Sequence, residues 1–272
     1  SRIGGNIQAL HALNSLNNIN SELGVHQLRL ATGKRINTAE DDAAGFVIGK
    51  TLQGRSKGLA VALANVGDAK SMLSIAEGGL DNILGILEQM KEKVTQAASD
   101  TLGTNERNAI ESELDALASE IDDIVDETTF NGTALLTDVD KTIQSGESTT
   151  DTLVVAVSTQ NHTSGALTVS DSNINVSSQS FASQSLGRVN TAIDTVKNSI
   201  ASIGSYQSRL STKEMSLSTA ITNTEASRSR IMDADFAKEQ LESLKLQIMQ
   251  QTATSALAQA NAAPQTVLSL FR

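Results

Sequence analysis

The chain of 272 residues has no cysteine, no tryptophan, one proline, and only five phenylalanines and one tyrosine. Each scarcity removes a class. Without cysteine there is neither a disulfide scaffold nor a thiolate metal site. Six aromatics cannot furnish the large flat side chains on which a compact enzyme core usually relies. A single proline leaves long stretches free to run as unbroken helix. No segment approaches the roughly 18 consecutive apolar residues of a membrane span, and the spaced apolar residues of SRIGGNIQALHALNS do not form a secretory signal peptide. At 39% hydrophobic the chain is too apolar for a disordered acidic tail. Its pI near 4.8 argues against nucleic acid as a partner.

The net charge of -10 is unevenly spread. Residues 1–58 carry +3 and residues 228–272 carry +1, which leaves −14 in the middle. This pattern suggests ends that pack on other surfaces and a centre that faces water.

Apolar residues recur every three or four positions over most of the length. One such set is Ile3, Ile7, Leu10, Leu13, Leu16, Ile19 and Leu23. A second runs Met72, Ala76, Gly79, Ile83, Ile86, Met90, Val94 and Ala97. Ile110, Leu114, Leu117, Ile121 and Ile124 form a third, and Leu186, Val189, Ile193, Val196, Ile200 and Ile203 a fourth that extends to Leu210, Leu217, Ile221 and Ile231. This spacing lines one face of a helix and suits knobs-into-holes packing. Met72–Leu102 as one helix would be about 45 Å long, too long for a globular domain of this size to cover. In QQTATSALAQANAAPQTVLSLFR the seam is mostly alanine. Small seam residues bury little area, so this helix needs a partner. The period breaks from Thr137 to Ser185. There Thr152–Val157 and Ala166–Val169 read as a β-hairpin around QNHTSG, with a third short strand near Ile174–Val176.

Motifs for chemistry are weak. His11, His26 and His162 have no metal-ligand spacing and read as surface or seam residues. Gly33-Lys34 resembles the end of a phosphate loop, but Leu28 replaces its first glycine and Arg35 its Ser or Thr, so a helix-interrupting turn is the better reading. The acidic run Glu111, Glu113, Asp115, Glu120, Asp122, Asp123, Asp126 and Glu127 lacks calcium-loop spacing and reads as a solvated helix face. Gly45, Gly49, Gly54 and Gly58, four or five apart, suggest a closely packed joint. Asn131-Gly132 reads as a turn after the acidic helix.

Five strings carry a family resemblance. LATGKRINTAEDDAAGFVI (Leu30–Ile48), SIAEGGLDNI (Ser74–Ile83), TTFNGTALL (Thr128–Leu136), SRSRIMDADFAKE (Ser227–Glu239) and ANAAPQTVLSLFR (Ala260–Arg272) resemble, in order, the conserved blocks of bacterial flagellin. They span about the first 136 and last 90 residues, as in a chain lacking only its initiator residue. The resemblance implies a mainly α fold, a long antiparallel coiled-coil or helical-bundle rod with a small β-hairpin region, in which the N- and C-terminal helices pair. Residues 1–42 and 229–272 would form an inner coiled-coil domain. Residues 43–178, with the hairpin at about 137–178, and residues 179–228 would form the rod domain.

The implied function is that of a structural subunit of the swimming filament, without catalytic, metal or cofactor sites. It would be exported through the flagellar type III apparatus to the cell exterior. Its partners would be copies of itself in a helical homopolymer, an export chaperone, the filament cap and, where several exist, other flagellins. Neither nucleic acid nor membrane insertion is expected. The hook–filament junction protein is the alternative, because it shares the terminal coiled coils. Ordering of the ends on assembly would use Ile3, Ile7, Leu10, Leu16 and Ile19 at one terminus and Leu257, Val267, Leu268, Leu270 and Phe271 at the other. The resemblance also aligns Gln89, Lys93 and Glu113 with the segment contacted by a Toll-like receptor. Recognised family members carry Arg and Leu in place of Gln89 and Lys93, so weak or absent recognition is expected.

Overall fold

The computed structural model describes residues 6–137, 139–158 and 161–269, with the side chains of 139, 156–158 and 263–269 left aside. Five helices dominate: α1 (Ile7–Thr32), α2 (Ala43–Ala97), α3 (Thr104–Glu127), α4 (Gln179–Met232) and α5 (Phe236–Ser269). Four short strands form two antiparallel pairs, β1 (Thr129–Phe130) with β2 (Thr133–Ala134), and β3 (Val139–Gln144) with β4 (Thr152–Ser158). The chain divides into two units, residues 1–56 with 222–272, and residues 57–221. The residues of α2 and of α4 are each divided between the two units.

The second unit holds one continuous apolar core. The stripe Val66, Leu73, Leu80, Ile83, Leu87 and Met90 of α2 meets Ile110, Leu114, Ile121 and Val125 of α3 and Val189, Val196, Ile203 and Leu210 of α4. On α3 the deepest stripe is turned slightly from the expected one. Ala118 and Val125 are buried, whereas Leu117 and Ile124 are half-buried beside the core. α2 has the length and apolar composition of a membrane-crossing helix. Its regularly spaced core residues explain that composition.

Chain reversals follow local chemistry. Asn131 and Gly132 both adopt positive φ (49° and 74°), the requirement of a two-residue hairpin turn, and link β1 to β2. Arg107, buried at the start of α3, donates to the carbonyls of Ala97 (2.6 Å), Ser99 (2.8 Å) and Leu102 (3.4 Å). Its guanidinium thus closes the C-terminal end of α2, where carbonyls lack helical partners and the helix dipole is negative.

Two sequence expectations need correction. Thr152–Val157 is indeed strand, but its partner is Val139–Gln144 upstream, not Ala166–Val169. A turn at residues 145–151 makes that pairing: Ser145 N–H donates to Asp151 O at 2.8 Å, and Asp151 takes back the Ser148 N–H on its carboxylate at 3.1 Å. Residues 166–168 lie in a turn, and neither 169 nor 174–176 is strand. Leu167, Val169, Ile174 and Val176 are buried in the core, so their apolar spacing serves burial and not a sheet ladder. The second correction is His162, which is neither a surface nor a seam residue. It is fully buried, with Nε2 2.9 Å from Ser199 Oγ and Nδ1 3.3 Å from Leu136 O.

Candidate self-association surface

In the first unit α1 and α5 pack antiparallel. Polar rungs mark the pairing. The Asn6 side-chain amide donates to Ala260 O at 2.6 Å, Gln250 Nε2 donates to Asn20 Oδ1 at 2.7 Å, and His26 Nδ1 donates to Glu239 Oε2 at 2.5 Å. The less exposed positions of α1, Ala9, Ala12, Leu16, Ile19, Leu23, His26 and Leu30, alternate by three and four. On α5 the corresponding set is Glu239, Ser243, Leu246, Gln250, Ala253, Leu257 and Ala260. This is a heptad seam whose α5 side is largely small or polar.

The connections fix how the two helices leave their neighbours. α1 stops at Gly33, whose φ of 68° lets its N–H reach Arg29 O at 2.8 Å. Arg35 N–H then donates to Met232 O (2.7 Å) and Ala234 N–H to Gly33 O (3.0 Å). Asp41 accepts from the backbone N–H groups of Asn37 (3.0 Å) and Thr38 (2.9 Å), and these amides, Thr38 first, hold its carboxyl below the ordinary range. Asp42 accepts the Gly45 N–H at 2.9 Å and so caps α2. The expected glycine joint is real at two of its four positions. A Cβ at Gly45 would lie 2.7 Å from Ile36 Cδ1, and one at Gly49 would collide with Met232 Sδ. Gly54 faces open space and Gly58 makes only ordinary contact.

The large apolar side chains of this unit are poorly covered. Of those described on α1 and α5, only Leu23 and Leu246 are buried. Ile7 is 62% exposed, Leu10 61%, Leu241 69% and Ile248 65%. Among the residues singled out from sequence, Ile7 and Leu10 therefore stand outside the seam, while Leu16, Ile19 and Leu257 are half-buried within it. Val267 and Leu268 lie on α5 without described side chains, and Ile3, Leu270 and Phe271 are outside the described residues. Leu13, on the same N-terminal stripe but not singled out for assembly, is exposed too, as are Leu28, Phe236, Leu241, Leu244, Ile248 and Met249, which the spacing analysis missed. The 3-4 step of Leu241, Leu244 and Ile248 was a legible signal, masked by the alanine-rich stretch that follows.

The second unit carries the receptor-aligned residues. Gln89 is exposed on α2, and Lys93 Nζ is paired with Glu113 Oε1 at 2.7 Å. On the acidic face of α3, Asp122 accepts the Ser164 N–H and O–H, both at 2.7 Å. Asp115 faces Asp171, and burial first, then that neighbour, raises its carboxyl above the ordinary range. Among the described residues no group of three or more His, Asp or Glu is placed to hold a metal ion.

Paired terminal helices with uncovered apolar faces define a self-associating structural subunit. Residues 3–141 match the bacterial flagellin N-terminal helical region and residues 186–271 the bacterial flagellin C-terminal helical region. The flagellin of Bacillus subtilis (strain 168) is 33% identical, with 100% of both chains covered. The flagellar filament 33 kDa core protein of Treponema phagedenis is 32% identical, with 99% of both covered. Among solved structures, Bacillus cereus flagellin matches with a TM-score of 0.50 at 28% identity, over 57% of this chain and 88% of that one. A putative flagellar hook-associated protein from Vibrio parahaemolyticus matches with a TM-score of 0.59 at 17% identity, over 71% of this chain and 100% of that one, and shares the fold alone. The chain belongs to the bacterial flagellin family. It is a structural subunit that self-assembles into the flagellar filament, not an enzyme.

Proposed function

We propose that polymerisation is driven by the apolar surface that α1 and α5 leave uncovered, with Ile7 and Leu10 on one helix and Leu241, Leu244 and Ile248 on the other. The carrying observation is the burial of only Leu23 and Leu246 among their described large apolar side chains. Full burial of one such side chain contributes about 1.5–3 kcal/mol, so several together can offset the entropy of ordering two helices on association. A head-to-tail contact that does not close generates a filament. On this reading residues 1–42 and 229–272 form the inner coiled-coil part and residues 43–228 the outer part. Ile3, Val267, Leu268, Leu270 and Phe271, singled out from the sequence alone, would take part in the same polymerisation, and Leu16, Ile19 and Leu257 support it from the seam.

Deleting residues 260–272 is expected to leave a helical monomer by circular dichroism that no longer polymerises. Filaments of that variant in electron micrographs would overturn the reading.

We further infer that the chain is exported through the flagellar type III apparatus to an extracellular filament, guarded by a chaperone and added beneath the cap. Its long seams suit this route, since they gain order from neighbours after export. Weak or absent Toll-like receptor recognition is favoured by the uncharged Gln89 and by Lys93, whose charge is engaged by Glu113. Reporter-cell activation equal to that of an enteric flagellin would contradict this.

A further inference from the structure

The second unit is strongly acidic, with ten basic and 22 acidic residues between 57 and 221. Against that background one cleft is basic. It has a volume of about 490 Å³ and lies between α4 and the β3–β4 hairpin, with Arg209 and Lys213 on one wall and Ser145 and Thr152 on the other. Ser208 and Thr212 add hydroxyls beside the two cations. Spaced four apart, Arg209 and Lys213 present their charges side by side on one helix face. Among the described residues neither has a carboxylate partner within ion-pair distance. Arg209 lies over the Tyr206 ring at 5.7 Å, and the adjacent Glu214 is taken by Lys70 at 2.7 Å.

A matching surplus of opposite sign sits on α3. Glu120, Asp123, Asp126 and Glu127 are exposed, and no basic residue lies in the last turn of the helix. Carboxylates at a helix C-terminus face the negative end of its dipole, an unfavourable placement unless a cation arrives from outside the helix. Asp123 and Glu127 repeat the four-residue spacing of Arg209 and Lys213.

We propose that the Arg209–Lys213 cleft receives the Asp123–Glu127 stripe of a second copy of this chain, as a polar contact between neighbouring subunits. The inference rests on the reading of the chain as a filament subunit, and it adds a second interface chemically unlike the apolar one of α1 and α5. Isolated surface ion pairs contribute little. Lys213 is half-buried and Arg209 exposed at the cleft, so the contact works chiefly through selectivity, since like charges placed there oppose docking strongly.

The test uses the purified full-length chain and two double variants, Arg209→Glu with Lys213→Glu, and Asp123→Lys with Glu127→Lys. Wild-type assembly checks the filament reading separately. Each variant alone is expected to raise the critical concentration for assembly about tenfold or more, with monomer helicity unchanged. An equimolar mixture of the two is expected to assemble near the wild-type concentration, because every cleft then meets a stripe of opposite charge. Should a reversal perturb the monomer, the neutral pair Arg209→Gln with Lys213→Gln is expected to raise the critical concentration and flatten its salt dependence. Assembly of either reversed variant at the wild-type concentration would overturn the proposal, as would failure of the mixture. Titration with inorganic phosphate provides a further arm. Binding lost in the Arg209→Glu, Lys213→Glu variant with unchanged assembly would identify a small-anion site instead.

Discussion

Asn6 holds the carbonyl of Ala260 at 2.6 Å while its own Oδ1 accepts the Ala9 N–H at 3.1 Å. The first bond answers a vacancy that covalent structure creates. In α5 the N–H that would bond Ala260 O belongs to residue 264, and residue 264 is the one proline of the chain. Proline has no N–H, so the α1 cap residue supplies the missing donor.

Asn6→Ala is therefore expected to destabilise the chain by about 1–2 kcal/mol, since both a cap and a carbonyl partner are lost. Pro264→Ala restores the N–H, and in that background the cost of Asn6→Ala should fall to that of the cap alone. A double-mutant cycle in urea, followed by circular dichroism, measures the coupling. Additive single effects would disprove the linkage.

Gly78 and Gly79 are neighbours in α2 with opposite surroundings. A Cβ at Gly78 meets nothing within 4 Å, whereas one at Gly79 would lie 2.6 Å from Thr128 Oγ1 and 2.9 Å from Leu136 Cδ1. Gly78→Ala should stabilise by about 0.5–1 kcal/mol through helix propensity. Gly79→Ala should destabilise by about 1–3 kcal/mol through overpacking. Melting temperatures of the two variants must move in opposite directions.

Asp115 gives a pH-dependent prediction. Its folded carboxyl titrates above its ordinary value of 3.8, because of burial and then Asp171 and Glu111. Proton binding is thus stronger in the folded chain, and the associated stability is complete below the unfolded pKa and lost as pH rises through the folded one. Asp115→Asn should raise the melting temperature at neutral pH, and the gain should vanish near pH 3.5. A gain of equal size at both pH values would exclude this cause.

Arg107 should tolerate no substitution. Its guanidinium serves three carbonyls at the end of α2 from a buried position. Arg107→Ala is expected to cost about 2–4 kcal/mol, since charge-assisted bonds are lost and the buried bond to the Ala97 carbonyl goes with them. Arg107→Lys should recover less than half, because an ammonium cannot span the same fork. Urea midpoints measure both.

Much of the fold was legible because helical seams are written in spacing alone. The stripes from Met72 to Ala97 and from Val189 to Leu217 needed no knowledge of their partners. Gly33 as a helix stop and Asn131-Gly132 as a turn were legible because their backbone conformations demand those residue types. The partner of Thr152–Val157 was not. Val139–Gln144 includes Asp140 and Lys141 and looks unlike a strand, whereas Ala166–Val169 looks like one and spends its apolar residues on the core. Arg107 and His162 were invisible for a related reason, since a buried polar group is explained only by the carbonyls and hydroxyls that tertiary packing brings to it. At the self-association surface, Ile7 and Leu10 could be named from spacing. The seam that separates them from Leu16 and Ile19 depends on which face of α1 meets α5.

The three polar rungs between α1 and α5 carry a further consequence. Each is weak, but all belong to one alignment of the helices. Sliding α5 by one helical turn, about 5.4 Å, would detach Asn6 from Ala260, Asn20 from Gln250 and His26 from Glu239 together. The same slip would bring Ser243 or Gln250 to the place of Leu246 and an alanine to that of Leu257, so the few large seam residues lose their fit at the same step. Alignment is thus read by the polar rungs together with the sparse leucines between them, and a misaligned pair is rejected as a whole and not by degrees.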